Sequence, residues 1–322
     1  MLFDIDYKIT IGDYQLMLLD SVEIHKSVDL LADNCMIKLP GTALNSVLKV
    51  EDSIKRGDRV TVMVGYSGNL VKEFFGYLQN ISTDGGSISL NCEDSMFLLR
   101  KPVADKQFVK VDIKTIANYL VQQTGVNMKV ESSLPITYDK FVISKATAYD
   151  VLKKMQEETK ANIFITEGDQ PTLQIHPPYL DKGGDVKYSF QVNIESDDLK
   201  YVQAEDKRIQ IIVKSTGKDG KVKEVRHGTT GGDQSTIEGN GMDLFSMQKV
   251  AENEYNRLLY DGYEGSITGW LIPFVEPTWS AEIVDEEYPE KDGWYYVISV
   301  TTTVSSEGGK RKVQIGRKLS NG

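Results

Sequence analysis

Residues 55–66, KRGDRVTVMVGY, decide the fold class. Val60, Val62, Val64 and Tyr66 fall on one face of an extended chain, and Thr61 and Met63 on the other. Side chains alternate along a strand, so this period of two predicts a β-strand with one apolar face. Ser67-Gly68-Asn69 supplies turn chemistry. The chain returns as 70–82, LVKEFFGYLQNIS, with aromatics on both faces, which predicts burial on both sides. Asp84-Gly85-Gly86 turns it again, and 87–94, SISLNCED, follows. Strands separated by glycine-rich turns over 1–103 predict a small antiparallel barrel or sandwich.

The character changes near Pro102. Residues 111–125, VDIKTIANYLVQQTG, predict a short helix. Asp112 can cap it, Ile113, Ile116, Ala117 and Leu120 form its apolar stripe, and Gly125 stands where a terminating glycine belongs. A second helix is predicted over 146–160, where Thr147 and Asp150 resemble a capping box and Val151, Leu152 and Met155 face inward. Strands at 161–167 and 172–177, joined by Gly168-Asp169-Gln170, complete a small α/β unit over 104–195.

Strands resume after 196. Ile209, Ile211 and Val213 alternate, and Asp219-Gly220 signals a hairpin back along 221–228. The polar, glycine-rich stretch 227–241, HGTTGGDQSTIEGNG, predicts a long surface loop. A third helix begins near Asp243, with Leu244, Met247, Ala251, Tyr255, Leu258 and Leu259 at helical spacing. Strands at 265–273, 279–286, 293–306 and 309–319 close the chain, and in the third Tyr296, Ile298, Val300 and Val304 share a face. The fold class predicted is mixed α/β, mainly β. Residues 1–103 form a first β block, 104–195 an α/β insert, and 196–322 a second β block with one helix.

Composition narrows the function. A chain of 322 residues suits two or three domains of about 100–150 residues. Tyrosine, at 16 against 10 Phe and 3 Trp, suits strands and half-buried surfaces. The formal net charge of -10 argues against a nucleic-acid grip, which needs cations to displace counterions. The N-terminus has no basic flank ahead of an apolar core, so no secretory signal is expected. No run of about 18 apolar residues exists, so no membrane-inserted helix is expected and the protein is expected to fold in a cytoplasm. Cys35 and Cys92 both lie in strand-like contexts and are expected as buried free thiols, with a disulfide as the alternative.

Catalytic, cofactor and metal residues are all absent from this reading. His25, His176 and His227 have no local ligand partner, although a trimer could bring three copies of one to an axis. Gly239-Asn240-Gly241 opens toward a helix but lacks the third glycine and the βαβ frame of a phosphate loop. The acidic run Asp285, Glu286, Glu287, Glu290 and Asp292 could hold calcium loosely, yet such runs are ordinarily solvated loops. Trp270, Phe274 and Trp279 in 269–279, GWLIPFVEPTW, are either a core corner or a docking anchor.

The succession KRGDRVTVMVGY, EFFGYLQNIS, SISLNCEDSMFLL resembles the first barrel of phage tail baseplate hubs, the late-control-protein-D and T4-hub-like family. The C-terminal succession resembles the same family: a helix (AENEYNRLL), GSITGWLIP, GWYYVISVTTTV, a turn at Gly308-Gly309 and VQIGRKL. One departure is that Phe274-Val275-Glu276-Pro277-Thr278 replaces the Gly-Asp that often precedes the second strand of the C-terminal barrel. The resemblance covers nearly the whole chain and rests on order rather than on any single motif. It implies two tube-type antiparallel β-barrel domains with the α/β domain inserted between them. It implies a homotrimeric ring adapting a six-fold tail tube to a three-fold spike, within a prophage, virion or contractile injection system. The partners implied are the tail tube protein and a separate spike protein, in a virion tail baseplate assembled in the host cytoplasm. Neither enzymatic activity nor a cofactor is implied. The competing reading is a monomeric carbohydrate- or protein-binding β module.

Overall fold

The computed structural model describes residues 4–40, 54–84, 87–179, 183–217, 220–289 and 292–319. The first strands are β1 (Ile5–Ile11), β2 (Tyr14–Leu16), β3 (Ser21–Ser27), β4 (Asn34–Leu39), β5 (Arg59–Tyr66), β6 (Asn69–Asp84) and β7 (Ser87–Glu93). Next come β8 (Lys106–Asp112), α1 (Ile113–Thr124), β9 (Lys129–Ser132), β10 (Thr137–Ile143), α2 (Ala148–Thr159), β11 (Asn162–Thr166) and β12 (Thr172–His176). Then follow β13 (Asp185–Ser189), β14 (Ser196–Asp197), β15 (Lys200–Val202), β16 (Ile209–Thr216), β17 (Val222–Gly228), β18 (Asp233–Asn240) and α3 (Leu244–Leu258). The chain ends with β19 (Gly262–Gly269), β20 (Ser280–Val284), β21 (Gly293–Ser305) and β22 (Gly308–Leu319). Among the described residues strands hold 53% against three α-helices, so the fold is mainly β.

Two compact units emerge. The first comprises Met1–Phe97, Gly183–Lys200 and Glu264–Gly322; the second comprises Leu98–Lys182 and Tyr201–Tyr263. This division differs from the boundaries expected at 103 and 195. Residues 185–189 leave the α/β block because β13 pairs in parallel with β20. Residues 201–263, with α3, leave the second β block. Thr137 N donates to Ser246 Oγ at 2.8 Å, and Asp139 N donates to the Gly241 carbonyl at 2.6 Å. Backbone ties of this kind are non-local, and local pattern does not encode them.

In the first unit one hydrogen-bonded path runs β14-β19-β22-β21-β3-β4-β7-β6-β5-β1-β2. The two β blocks meet where β21 pairs antiparallel with β3, in register from Ser299↔Ser27 to Ser305↔Ser21. Their cores merge there too. Leu271 and Val304 from the second block are buried with Ile24, Ile37, Val62, Val64 and Leu90 from the first. Val60, Val62, Val64 and Tyr66 are buried as their alternation requires. Among the described residues no pairing joins β14 to β2, so the path is open at both ends. Gly85 and Gly86 of the predicted turn, and Asp219 of the predicted hairpin, lie outside the described residues.

The second unit holds a two-stranded sheet, β10-β8, and two three-stranded sheets, β11-β12-β9 and β17-β16-β18. Its helices start as the sequence dictates. Asp112 Oδ1 accepts from Thr115 N at 2.8 Å, and Gly125 ends α1 in the left-handed conformation at φ 70. Thr147 and Asp150 form a reciprocal capping box. A serine- or threonine-type cap is worth about 1 kcal/mol. Thr147→Ala should therefore lower the stability of α2 by about 1 kcal/mol. Urea titration followed at 222 nm reads this, because the three α-helices of the described residues lie in this unit. An unchanged midpoint would show that the cap is idle.

Two expectations about 196–241 are corrected. The alternation of Ile209, Ile211 and Val213 suggested one buried face, but Ile212 on the other face is buried as well, and Ile209 is only half-buried. The predicted surface loop contains β18, which pairs in parallel with β16 from Asp233↔Ile209 to Asn240↔Thr216. Its composition is polar because only Ile237 and Gly239 point inward. Gly241 follows at φ 71, and a Cβ there would collide with the Lys140 carbonyl. The glycine serves close backbone approach, not phosphate binding.

Candidate assembly site

The three histidines are occupied separately. His25 Nδ1 lies 2.9 Å from Thr301 Oγ1, its cross-strand neighbour. His176 is held between Ser133 Oγ and Gln174 Oε1, at 2.7 Å each. His227 stands edge-on to Tyr255 with ring centres 4.9 Å apart. The acidic run closes on itself: Asp292 Oδ1 accepts from Asp285 N at 2.7 Å, and Asp285 Oδ1 from Glu287 N at 3.0 Å. Glu290 of that run lies outside the described residues. Among the described residues no three His, Cys, Asp or Glu side chains gather as metal ligands would. An open cleft of about 410 Å³ in the second unit is lined by Asp206, Lys207, Ile209, Asp233, Gln234, Ser235 and Leu258. Its Lys207 ammonium donates to the Leu258 carbonyl at 3.3 Å. No histidine or cysteine lines it to activate a nucleophile.

The aromatic segment divides between the two roles considered for it. Phe274 stacks edge-on to Trp279 at 5.8 Å. Gly183 and Gly184 make room for the indole, since a Cβ on either would stand 2.6–2.9 Å from it. Both rings are half-buried and pack against each other rather than standing free in solvent. Trp270 and Ile272, by contrast, are 56% and 64% exposed. Val192, next to the Asn193 carbonyl that abuts Gly269, is 82% exposed. Large apolar groups therefore crowd the β14-β19 end of the sheet path. Met17 and Leu18, at 72% and 44% exposure, directly follow β2 at its other end. Each end of the path thus combines an unpaired strand edge with exposed apolar side chains. That combination invites pairing with another chain.

A charged cluster that sequence reading missed also bridges the two blocks. Arg311 of β22 is 1% exposed. Its guanidinium pairs with Glu73 of β6, donates to the Pro273 carbonyl at 2.6 Å and lies 5.2 Å from the centre of the Phe274 ring. Thr302 Oγ1 donates to Glu73 Oε2 at 3.3 Å. Burial raises the Glu73 carboxyl above its ordinary range, and Arg311 opposes the shift. Beside this cluster Lys26 Nζ donates to both oxygens of Glu276 at 2.7 and 2.9 Å. The signal was present in the alternation Gly309, Arg311, Val313, Ile315, which puts Arg311 on the buried face.

No protein-family model matches the chain, and no curated protein matches it in sequence. Solved structures do match. The 43 kDa tail protein of prophage MuSo2 from Shewanella oneidensis aligns with TM-score 0.63 at 13% identity, covering 98% of this chain and 97% of that one. The tail protein from Neisseria meningitidis MC58 aligns with TM-score 0.65 at 13% identity, covering 97% and 96%. This chain has the fold of a phage tail protein. The same fold extends to the E. coli c3393 protein, described as a type VI secretion component similar to T4 tail proteins gp27 and gp5. That match has TM-score 0.63 and 8% identity, over 98% of this chain and 77% of the other. The tail-protein fold is the one that the order of strand and helix segments implied. Among the described residues no helix is long and apolar enough to cross a membrane.

Proposed function

We propose that this chain is a structural baseplate hub subunit of a phage-like tail, without enzymatic activity. Three copies form a ring that adapts a six-fold tail tube to a three-fold spike, the spike being a separate protein. The observation that carries this reading is the end-to-end match to tail proteins, 97–98% of this chain against 96–97% of theirs. A grafted binding module would match over part of its length. The open sheet path gives the reading a physical basis. Its two ends are different surfaces, so contact between them is heterologous, and a heterologous contact that closes makes a ring. In the ring each chain contributes two tube-type β-barrel halves, and the second unit stands as the α/β domain. The tail tube protein meets the ring on one side and the spike on the other, in a virion tail baseplate assembled in the host cytoplasm.

The test is native mass spectrometry with negative-stain imaging, on the chain alone and mixed with its tail tube protein. The expected result is a particle of three 36.1 kDa chains with three-fold symmetry. Ile272→Asp, at an exposed position, should leave the monomer folded and weaken association by about tenfold or more. A chain that stays monomeric in both mixtures would overturn the hub reading in favour of a binding module.

A further inference from the structure

Cys35 and Cys92 are the only two cysteines of the chain. The antiparallel ladder of β4 and β7 places them directly opposite each other. Both side chains point into the first unit's core, beside Ile37, Ile88 and Leu90, and both are free thiols at 1% and 2% exposure. Opposed residues in an antiparallel pair have Cα atoms about 4.5 or 5.5 Å apart. A disulfide spans Cα separations of about 4.4–6.8 Å. The ladder therefore sets the two thiols at bonding range without any rearrangement of topology, and only a small approach of the Cβ atoms is required.

We propose that Cys35 and Cys92 form a latent cross-strand dithiol, which a low-molecular-weight disulfide converts into an intramolecular bond locking β4 to β7. The chemistry balances as two successive exchanges with glutathione disulfide. One cysteine thiolate attacks a sulfur of glutathione disulfide, forming a mixed disulfide and releasing one glutathione. The second cysteine then attacks the protein sulfur, forming the Cys35–Cys92 bond and releasing the second glutathione. The two thiol protons leave with the two glutathiones. The protein loses two electrons, and glutathione disulfide gains them.

Burial makes the pair slow. The oxidant cannot reach thiols that are 1% and 2% exposed, and Cys35 is held as the thiol because burial pushes its titration well up and the Cys92 thiol raises it further. Reaction therefore proceeds through transient opening of the ladder. Once formed, the bond closes a loop that contains all of β5 and β6. It cross-links adjacent strands in the middle of the path, β3-β4-β7-β6. A reducing glutathione pool keeps the pair open, and an oxidising medium closes it.

The experiment incubates the full chain with glutathione disulfide, in buffer and in urea below the unfolding midpoint. Intact mass, peptide mapping and Trp fluorescence in urea are then recorded. The expected product has lost the mass of two hydrogens and yields a Cys35–Cys92 linked peptide. It forms faster in urea, and its fluorescence midpoint lies above that of the reduced protein. Cys92→Ala should show no midpoint shift. Three results would each overturn the proposal. They are glutathione retained on either cysteine as the end product, a linked product with a midpoint below that of the reduced protein, and two free thiols after repeated unfolding and refolding in oxidant.

Discussion

Replacing Arg311 with methionine is expected to destabilise the first unit by about 3–5 kcal/mol, because it leaves the buried Glu73 carboxylate without its counter-charge. The loss is large for three reasons found together. Glu73 is 3% exposed, so water cannot replace the guanidinium. The remaining donor to it, Thr302 Oγ1, is a neutral hydroxyl. The Pro273 carbonyl also loses its donor, and Phe274 loses the cation beside its ring. Trp270, Trp279 and Trp294 all belong to this unit, so Trp fluorescence in urea reports its unfolding selectively.

The sign with pH follows from the carboxylate. Without Arg311, burial acts on Glu73 against only the weaker pull of Lys26 and Thr302, and its folded-state titration rises further. A raised acid is stabilised by its proton, so the deficit of Arg311→Met should shrink as pH falls and grow as pH rises. Glu73→Leu combined with Arg311→Met should recover most of the loss, since apolar replacement of a buried pair is often neutral. A single variant within about 1 kcal/mol of the parent would mean that the cluster does not bind the two β blocks.

Local elements were legible because their causes are local. Asp112, Thr147 and Asp243 each accept the backbone donor that their position in the sequence assigns them. The alternation 60–66 was buried as read, and so were Tyr296, Val300 and Val304, but Ile298 of the same expected face is only half-buried, because the ladder to β22 is irregular around Val297. Two kinds of information were not legible. One is a strand whose burial comes from backbone rather than side chains. Strand β18 has the composition of a loop, and its place is fixed by a parallel ladder to β16. The other is the partition of the chain. The first unit draws on three separate segments and the second on two, and each return is sealed by pairing between residues far apart in sequence. Arg311 lies between these cases. Its alternation was readable, but its partner Glu73 lies 238 positions away and no local pattern points to it. The candidate assembly edges share that property. Trp270 and Ile272 were readable as aromatic and apolar, but their exposure depends on which strands come to lie beside them.

The second large effect concerns the other unit and should appear as a pH dependence. Glu158, in the last turn of α2, is 4% exposed, and its Oε2 has no hydrogen-bond partner. The buried Tyr138 hydroxyl faces the same carboxyl. Burial raises the Glu158 carboxyl to about 7, against the pull of Lys154 and of the Asn240 amide and backbone. Tyr138 is raised by burial and then by the Glu158 charge. The charged neighbours are therefore Lys154, 3.8 Å away, and Glu157. The folded-state value lies above the unfolded one. The stabilisation is thus complete below about pH 4.5 and is lost as pH rises through 7. Between those limits the shift corresponds to on the order of 3 kcal/mol. Glu158→Gln carries no such charge while keeping the shape. Its stability, read from urea titration at 222 nm, should match the parent at pH 4 and exceed it by on the order of 3 kcal/mol at pH 8. Other titrating groups affect parent and variant alike, so the difference between them isolates residue 158. A difference that stays constant from pH 4 to 8 would show that the carboxylate finds solvent or a partner in the folded protein. Burial would then not be what sets its titration.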